Sequence, residues 1–272
     1  MIHWNHKRII ESLRKSSKSL GHYPSVRETK PTLYQACCRY FGSFNKAKVA
    51  ASLGINYRKH HILKTTSRIP KEDLAYVIGA VRGDGYCRIR KSSERSSGEI
   101  TLKVINKDFA KEFADQLEKW SGIKPTFSKK GKEYFVTLSS IDAARIIKGI
   151  NIKDLANSHR KKVKANFLRG LYDSDGGVIG TNLNKRRVAC RWIHFSNNDK
   201  KIIGATSKAL NDFGIKYKIR SRIHSGFGSK RLQYELLIFG LENFKKFLKN
   251  IGFSISYKND KLKEIISSYG KH

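Results

Sequence analysis

Two stretches of this chain, LAYVIGAVRGDG at residues 74–85 and FLRGLYDSDGG at 167–177, superimpose with Gly79 on Gly170, Gly83 on Ser174 and Asp84 on Asp175, each pair 91 residues apart. On a helix, Ala75, Gly79 and Gly83 fall at i, i+4 and i+8, and Asn166, Gly170 and Ser174 fall at matching positions, so each copy carries a ridge of small residues. Such ridges let two backbones approach until they nearly touch, while Leu74, Val77, Ile78 and Val81 turn toward the first copy's own core. Two helices packed this way about a pseudo-twofold axis bring Asp84 and Asp175 out together at one end. Each acid then stands where the helix dipole is already negative and beside a like charge, an arrangement that raises carboxyl pKa values. A divalent cation relieves that cost. Two carboxylates, Mg²⁺ (or Mn²⁺) and a phosphate backbone are the parts of metal-assisted phosphodiester hydrolysis. A calcium loop counted from Asp173 fails, because Gly177, Val178 and Asn184 occupy its fifth, sixth and twelfth positions.

The duplication continues past these helices. The next segment aligns at the same spacing, Lys107 against Asn198, then SGIKPTF resembles FGIKYKI 92 residues on and IIKGI resembles FLKNI about 101 on. Each copy reads as helix, hairpin, helix, hairpin, helix. In the first, YCRIR and EITLKVI flank the turn KSSERSSG, with Ile100, Leu102 and Val104 on one face and Thr101 and Lys103 on the other. In the second, Lys216, Lys218, Arg220 and Arg222 face one way and Tyr217, Ile219 and Ile223 the other; the return strand keeps Leu232, Tyr234, Leu236 and Ile238 inside and Arg231, Gln233 and Glu235 outside. RRVACRWIHF alternates too poorly for its faces to be assigned.

Composition names the partner class. With 56 Lys and Arg against 22 Asp and Glu, the net charge is +34 and cannot be paired off internally. Such a surplus is met by a polyanion, and nucleic acid binds it with strong salt dependence. A two-stranded ribbon fits the major groove, which makes Arg88, Arg90, Lys103, Lys216, Lys218, Arg220, Arg222, Arg231 and Gln233 the candidate DNA contacts. No apolar run reaches membrane-spanning length and no signal peptide opens the chain, so no membrane partner and a cytoplasmic, nucleoid-associated location are expected. The four cysteines lack zinc spacing and read as reduced core residues.

Residues 1–57 read as a small helical domain, with a helix closed by Gly21 and two more broken at FGS, Ser43 capping the second. Residues 58–70 read as a basic linker, with Pro70 starting a new helix; 71–165 and 166–272 are the two copies.

The paired signatures, their spacing and the intervening hairpins resemble the single-chain LAGLIDADG homing endonucleases over about residues 71–266. The resemblance implies an α+β fold, a pseudo-twofold αββαββα core forming a DNA-binding saddle with a small all-α N-terminal domain. It also implies a monomer that cuts both strands of a long double-stranded target. The acids ending the signatures, Asp84 and Asp175, would hold the metals; Gly79, Gly83, Gly170 and Ser174 would pack the helices. Asn106, Lys107, Asn197 and Asn198 would order water around the metals, with Lys161, Lys162 and Lys258 as weaker candidates for the same electrostatic work. Asp173 matches the signature's first aspartate, Arg82 in the first copy, and reads as a helix-end group. Trp4, GHYPS, RYFGSFNKA and ASLG resemble the short homing-endonuclease-associated repeat, implying an added DNA contact. The alternatives are an intron maturase acting on RNA and a non-cleaving regulator on the same fold. An intein is disfavoured, since no splicing cysteine opens the chain and no His-Asn pair ends it; a free-standing, intron-encoded or mobile gene is expected.

Overall fold

The computed structural model describes residues 3–54, 63, 71–91, 96–181, 190–226 and 229–270, with side chains left undescribed at 91, 224–226, 229–231 and 270. The expected linker (apart from Leu63), the helix start at Pro70 and the side chain of Arg231 therefore lie outside the described residues. The chain divides into two compact units, residues 1–60 and 61–272.

The first unit holds α1 (His6–Leu20), α2 (Pro31–Phe41) and α3 (Phe44–Ala50). Asn5 caps α1 by accepting from the Arg8 amide, and Gly21 closes it in the left-handed region at φ 69°. Ser43 accepts from the Lys46 amide and starts α3 as its sequence suggests. Ile9, Leu13, Leu33, Cys37, Phe44 and Ala47 form its core. Lys48 is buried beside them, its ammonium donating to the Pro24 carbonyl at 3.2 Å and lying over the Phe44 ring.

The second unit is built twice. Its first half runs α4 (Glu72–Arg82), β1 (Gly85–Lys91), β2 (Ser96–Val104), α5 (Lys107–Ser121), β3 (Thr126–Lys130), β4 (Glu133–Ser139) and α6 (Ile141–Gly149), followed by the short α7 (Ile152–Ala156). The second runs α8 (Lys161–Asp175), β5 (Gly176–Thr181), β6 (Cys190–Asn197), α9 (Lys200–Asp212), β7 (Tyr217–Gly226), β8 (Ser229–Ile238), α10 (Leu241–Asn250) and α11 (Ser256–Ser267). Each half has one antiparallel sheet, ordered β1-β2-β4-β3 and β5-β6-β8-β7. This is the α+β, αββαββα arrangement expected from the sequence. Among the described residues no helix is long and apolar enough to cross a membrane.

One face of each sheet closes a core. Ile100, Leu102, Val136 and Leu138 do so in the first half and Ile193, Phe195, Leu236 and Ile238 in the second, joined by Leu74, Val77 and Ile78 of α4. The pattern that the sequence left open in RRVACRWIHF resolves here: Ile193 and Phe195 are buried, and Trp192 and His194 alternate to the other face. β2 begins at Ser96, inside the expected turn, because Ser96–Gly98 pair with Ile89–Lys91. Gly98 is needed there, since a Cβ would lie 2.6 Å from the Ile141 Cα of α6. The cysteine expectation needs correction: all four are free, but Cys37 alone is buried, Cys38 and Cys87 are half-buried, and Cys190, the first residue of β6, is exposed.

The constant spacing of 91 residues also needs correction. Gly85 pairs with Leu102 and Gly176 with Phe195, so the second half is two residues longer by the end of its first hairpin. Val104 pairs with Tyr134 and Asn197 with Tyr234, which makes Val104 the counterpart of Asn197. Asn106 caps α5 and Asp199 caps α9, so Lys107 corresponds to Lys200 rather than to Asn198.

The centre of the unit is the parallel contact of α4 with α8. A Cβ on Gly79 would meet the Phe167 carbonyl oxygen at 2.4 Å, the Leu171 nitrogen at 3.0 Å and the Gly170 carbonyl carbon at 3.2 Å. A Cβ on Gly170 would meet the Tyr76 oxygen at 2.3 Å, the Ala80 nitrogen at 2.8 Å and the Gly79 carbonyl carbon at 3.2 Å. These are the same atoms with the copies exchanged, the signature of a twofold contact. One turn on, Gly83 faces Ser174, whose hydroxyl also reaches the Ala80 carbonyl.

Gly170→Val should therefore force the helices apart and cost about 3 kcal/mol or more. Gly204→Ala, in open space on exposed α9, should be neutral or stabilising by up to about 1 kcal/mol. Urea denaturation of both variants against wild type checks the pair.

Candidate metal centre and nucleic-acid interface

Because 79 faces 170 and 83 faces 174, the two signatures end side by side. α4 stops at Arg82, so Asp84 stands in the turn into β1, whereas α8 continues through Asp175. A Cβ on Gly83 would lie 3.3 Å from Asp175 Oδ2, which shows how closely the two ends meet. Asp175 is half-buried and its carboxyl is pushed up to about 6, first by burial and then by the charge of Asp84; a hydrogen bond from Asn197 and the charge of Lys258 oppose the rise. Asp84 is exposed, yet the protein packed around it raises its carboxyl too, again against Lys258.

The positive group at the end of α8 is Lys258, from the first turn of α11. It is buried, and its ammonium donates to the buried carbonyls of Tyr172 at 3.1 Å and Asp173 at 2.7 Å and to the half-buried carbonyl of Gly176 at 2.7 Å. Burial lowers its pKa, while Asp173, Asp84 and Asp175 hold it up. It fills the role a helix C-terminus gives to a cation, and it does so without forming an ion pair with either signature-ending acid. Among the described residues neither Asp84 nor Asp175 takes part in a salt bridge. Asp173 is buried and turned away from that end: Tyr76 donates to it across the helix pair at 2.9 Å, and the Ser254 hydroxyl and amide donate at 2.6 and 3.0 Å. Burial pushes its carboxyl up to about 6 against these donors. It ties the halves together.

The residues expected around the acids are placed unequally. Asn197 donates its amide to Asp175 Oδ2 at 3.0 Å and accepts from the Asp199 amide. Asn106 caps α5 by accepting from the Phe109 amide at 2.9 Å. Lys107 and Asn198 are exposed. Lys161 and Lys162 sit in the first turn of α8, about 20 Å from its acidic end at 1.5 Å per residue, too far to act there. His194, which the sequence did not single out, lies over Gly177, where a Cβ would come 2.4 Å from its Cε1; burial lowers its pKa.

The pair Asp84 and Asp175 fits a hard divalent cation. Among the described residues no cluster of three His, Cys, Asp or Glu side chains could hold a metal alone, and Mg²⁺ is commonly held by one or two carboxylates with water and substrate phosphate.

The candidate DNA contacts share one surface per half. Arg88, Arg90 and Lys103 lie on the face of the first sheet opposite its core, and Lys218, Arg220, Arg222 and Gln233 on that of the second, with Lys216 exposed just before β7. They are not all free cations. Lys103 pairs with Glu133 at 3.0 Å, and Arg220 and Arg222 both pair with Glu235.

Residues 162–252 match the LAGLIDADG-like domain family. An I-DmoI variant solved in complex with its target DNA, nicked in the coding strand and in the presence of Mn, superimposes with a TM-score of 0.51 at 20% identity, over 66% of this chain and 95% of that one. The chain has the LAGLIDADG fold. Two uncharacterized proteins of Methanocaldococcus jannaschii are similar in sequence. MJ0314 is 30% identical over 182 residues, 61% of this chain and 66% of its own length. MJ0398 is 25% identical over 277 residues, 97% of this chain and 93% of its own length.

Within this unit, Lys258→Met should leave three carbonyls, two of them buried, without their charged donor and cost about 3 kcal/mol. Denaturation in EDTA, where no metal contributes, measures it; an unchanged midpoint would show that the ammonium does not hold the end of α8.

Proposed function

We propose that this protein is a site-specific double-strand DNA endonuclease, a homing endonuclease that hydrolyses phosphodiester bonds with Mg²⁺ or Mn²⁺ held by Asp84 and Asp175. The observation that carries the reading is the reciprocal glycine contact, which leaves two carboxylates side by side, raised in pKa and unpaired by any cation of the chain among the described residues. A divalent cation bound there would supply Lewis-acid activation of water and stabilisation of the leaving oxygen. The chain's own residues do the positioning. Asn197 orients Asp175, Lys258 fixes the backbone that carries it, and Asp173 locks α4 to the loop before α11. The sheet faces bearing Arg88, Arg90, Lys103, Lys218, Arg220 and Arg222 would lie along the duplex, and a monomer with internal pseudo-symmetry would address both strands. The basic N-terminal unit would lengthen the contact.

Cleavage of a randomised duplex library with Mg²⁺ tests the assignment. Asp84→Asn and Asp175→Asn should each abolish double-strand cutting while keeping duplex binding, since amides retain shape and lose the charge a metal needs. Cutting unchanged in both variants would remove these acids from the chemistry. Binding that survives while even wild type fails to cut would favour a regulator on the same fold.

The two acids differ in their neighbours, Asn197 beside Asp175 and Val104 at the corresponding place beside Asp84, so the two strands should be nicked at unequal rates. Asn197→Val should narrow that difference, as read from nicked and linear products of a plasmid substrate.

A further inference from the structure

The outward face of the second sheet holds an acid in the middle of its basic stripe. Glu235 on β8 is directly opposite Arg220 of β7, and Gln233 is opposite Arg222. The Glu235 side chain is 5% exposed, covered by two arginines that are each 56% exposed. Arg220 Nε donates to one carboxylate oxygen and Arg222 Nη2 forms an ion pair with the other, so a single acid is shared by two guanidinium groups. Two residues apart on one strand, those cations would repel each other and sweep through many rotamers. Glu235 draws them together and fixes their planes, and among the described residues both Nη nitrogens of Arg220 and the Nη1 of Arg222 remain for an outside partner.

Affinity does not explain this acid. It subtracts a charge from the surface that would meet phosphates, in a protein already at +34, and a neutral residue there would bind a polyanion more tightly. A guanidinium held in plane, however, matches the O6 and N7 edge of guanine bidentately, and its preorganised fork loses less rotamer freedom for each bond formed. The first half lacks this device among the described residues. At the equivalent pairs Ser128 faces Phe135 and Lys130 faces Glu133, while Lys103 lies over the Phe135 ring at 5.6 Å.

The geometry points to Glu235 as a positioning residue that sets base discrimination, holding Arg220 and Arg222 as a paired fork for a guanine-containing step in the half-site under the second sheet. The assignment rests on the reading that this protein binds double-stranded DNA. It is tested by selecting preferred sites from a randomised duplex pool by binding alone, in EDTA, with full-length wild type, Glu235→Gln and Arg220→Lys. Wild type should require guanine at one or two adjacent positions confined to one half-site. Glu235→Gln should lower that preference by about tenfold, leave the other positions unchanged, and bind unrelated duplex at least as well as before. Arg220→Lys, which keeps the charge and the pairing with Glu235 but loses the planar fork, should weaken the same positions, and it decides the matter if Glu235→Gln melts at a lower temperature than wild type. An intact guanine preference in Arg220→Lys, or a loss spread evenly over both half-sites in either variant, overturns the assignment. If wild type selects no duplex at all, the DNA-binding reading falls first and this one with it.

Discussion

The contact of α4 with α8 is made by backbone on backbone, and the rest of the large unit is arranged around that fact. Where Gly79 meets Gly170 there is no side chain whose rotamer can absorb an error, so the separation of the two helix ends is set by atoms that cannot move without moving whole helices. That stiffness is what a two-carboxylate centre needs, because its geometry must be held to within a fraction of an ångström for chemistry to benefit. Tyr76 donating to Asp173 and Ser174 reaching Ala80 add polar bonds across the same seam, so slippage of one helix along the other would break them as well as open a gap.

Close approach creates an electrostatic debt at the ends of these helices, and the fold meets part of it internally. Acids at the negative end of a helix are disfavoured, and a partly desolvated like-charged pair is worse. Lys258 answers the first problem by donating to the last carbonyls of α8, and its charge also lowers the pKa of Asp84, Asp173 and Asp175. Because it stops short of pairing with Asp84 or Asp175, the folded chain tolerates the acids while leaving their oxygens available. A lysine in direct contact with either carboxylate would have stabilised the protein more and competed with any metal.

What the sequence made legible follows from what repeats. Glycine spacing, the alternation of β2, and caps such as Ser43 and Gly21 are local rules, and the structure keeps them; in β7 and β8 the inward side holds only near the core, at Tyr217, Tyr234, Leu236 and Ile238, while Ile219, Ile223 and Leu232, expected inside, are exposed where the hairpin runs past the core. Asn197 was reachable by resemblance, but its counterpart was not: a hairpin two residues longer in the second half shifts the register, and sequence alone placed Asn106 where Val104 stands. Lys258 was reachable by resemblance only as one of three weaker lysine candidates, and nothing in the sequence set it above Lys161 and Lys162, since its role depends on α11 folding back under α8 from more than 80 positions away. Glu235 was visible as an outward acid on a strand, yet a two-dimensional pattern cannot show that two arginines of the neighbouring strand share it. Cys190 looked like a core cysteine by type and is exposed as the first residue of β6.

The two halves keep their symmetry where geometry demands it and lose it elsewhere. Exchange of copies maps the Gly79 contacts onto the Gly170 contacts atom for atom, whereas Asn197 against Val104, and Arg220 with Glu235 against Ser128 with Phe135, share nothing chemically. A gene duplication leaves every position free to diverge except those that a twofold packing contact couples, because a change in one helix there must be matched at once by its partner. The sheet faces carry no such coupling. A duplex laid along them would meet an aromatic ring and a tethered lysine on one side and a fixed pair of guanidinium groups on the other. A palindrome presents the same base edges to both, so it would satisfy at most one face. On the proposed reading, a chain built this way would be fitted to an asymmetric target, its internal twofold serving to join the two acids rather than to read a repeated sequence.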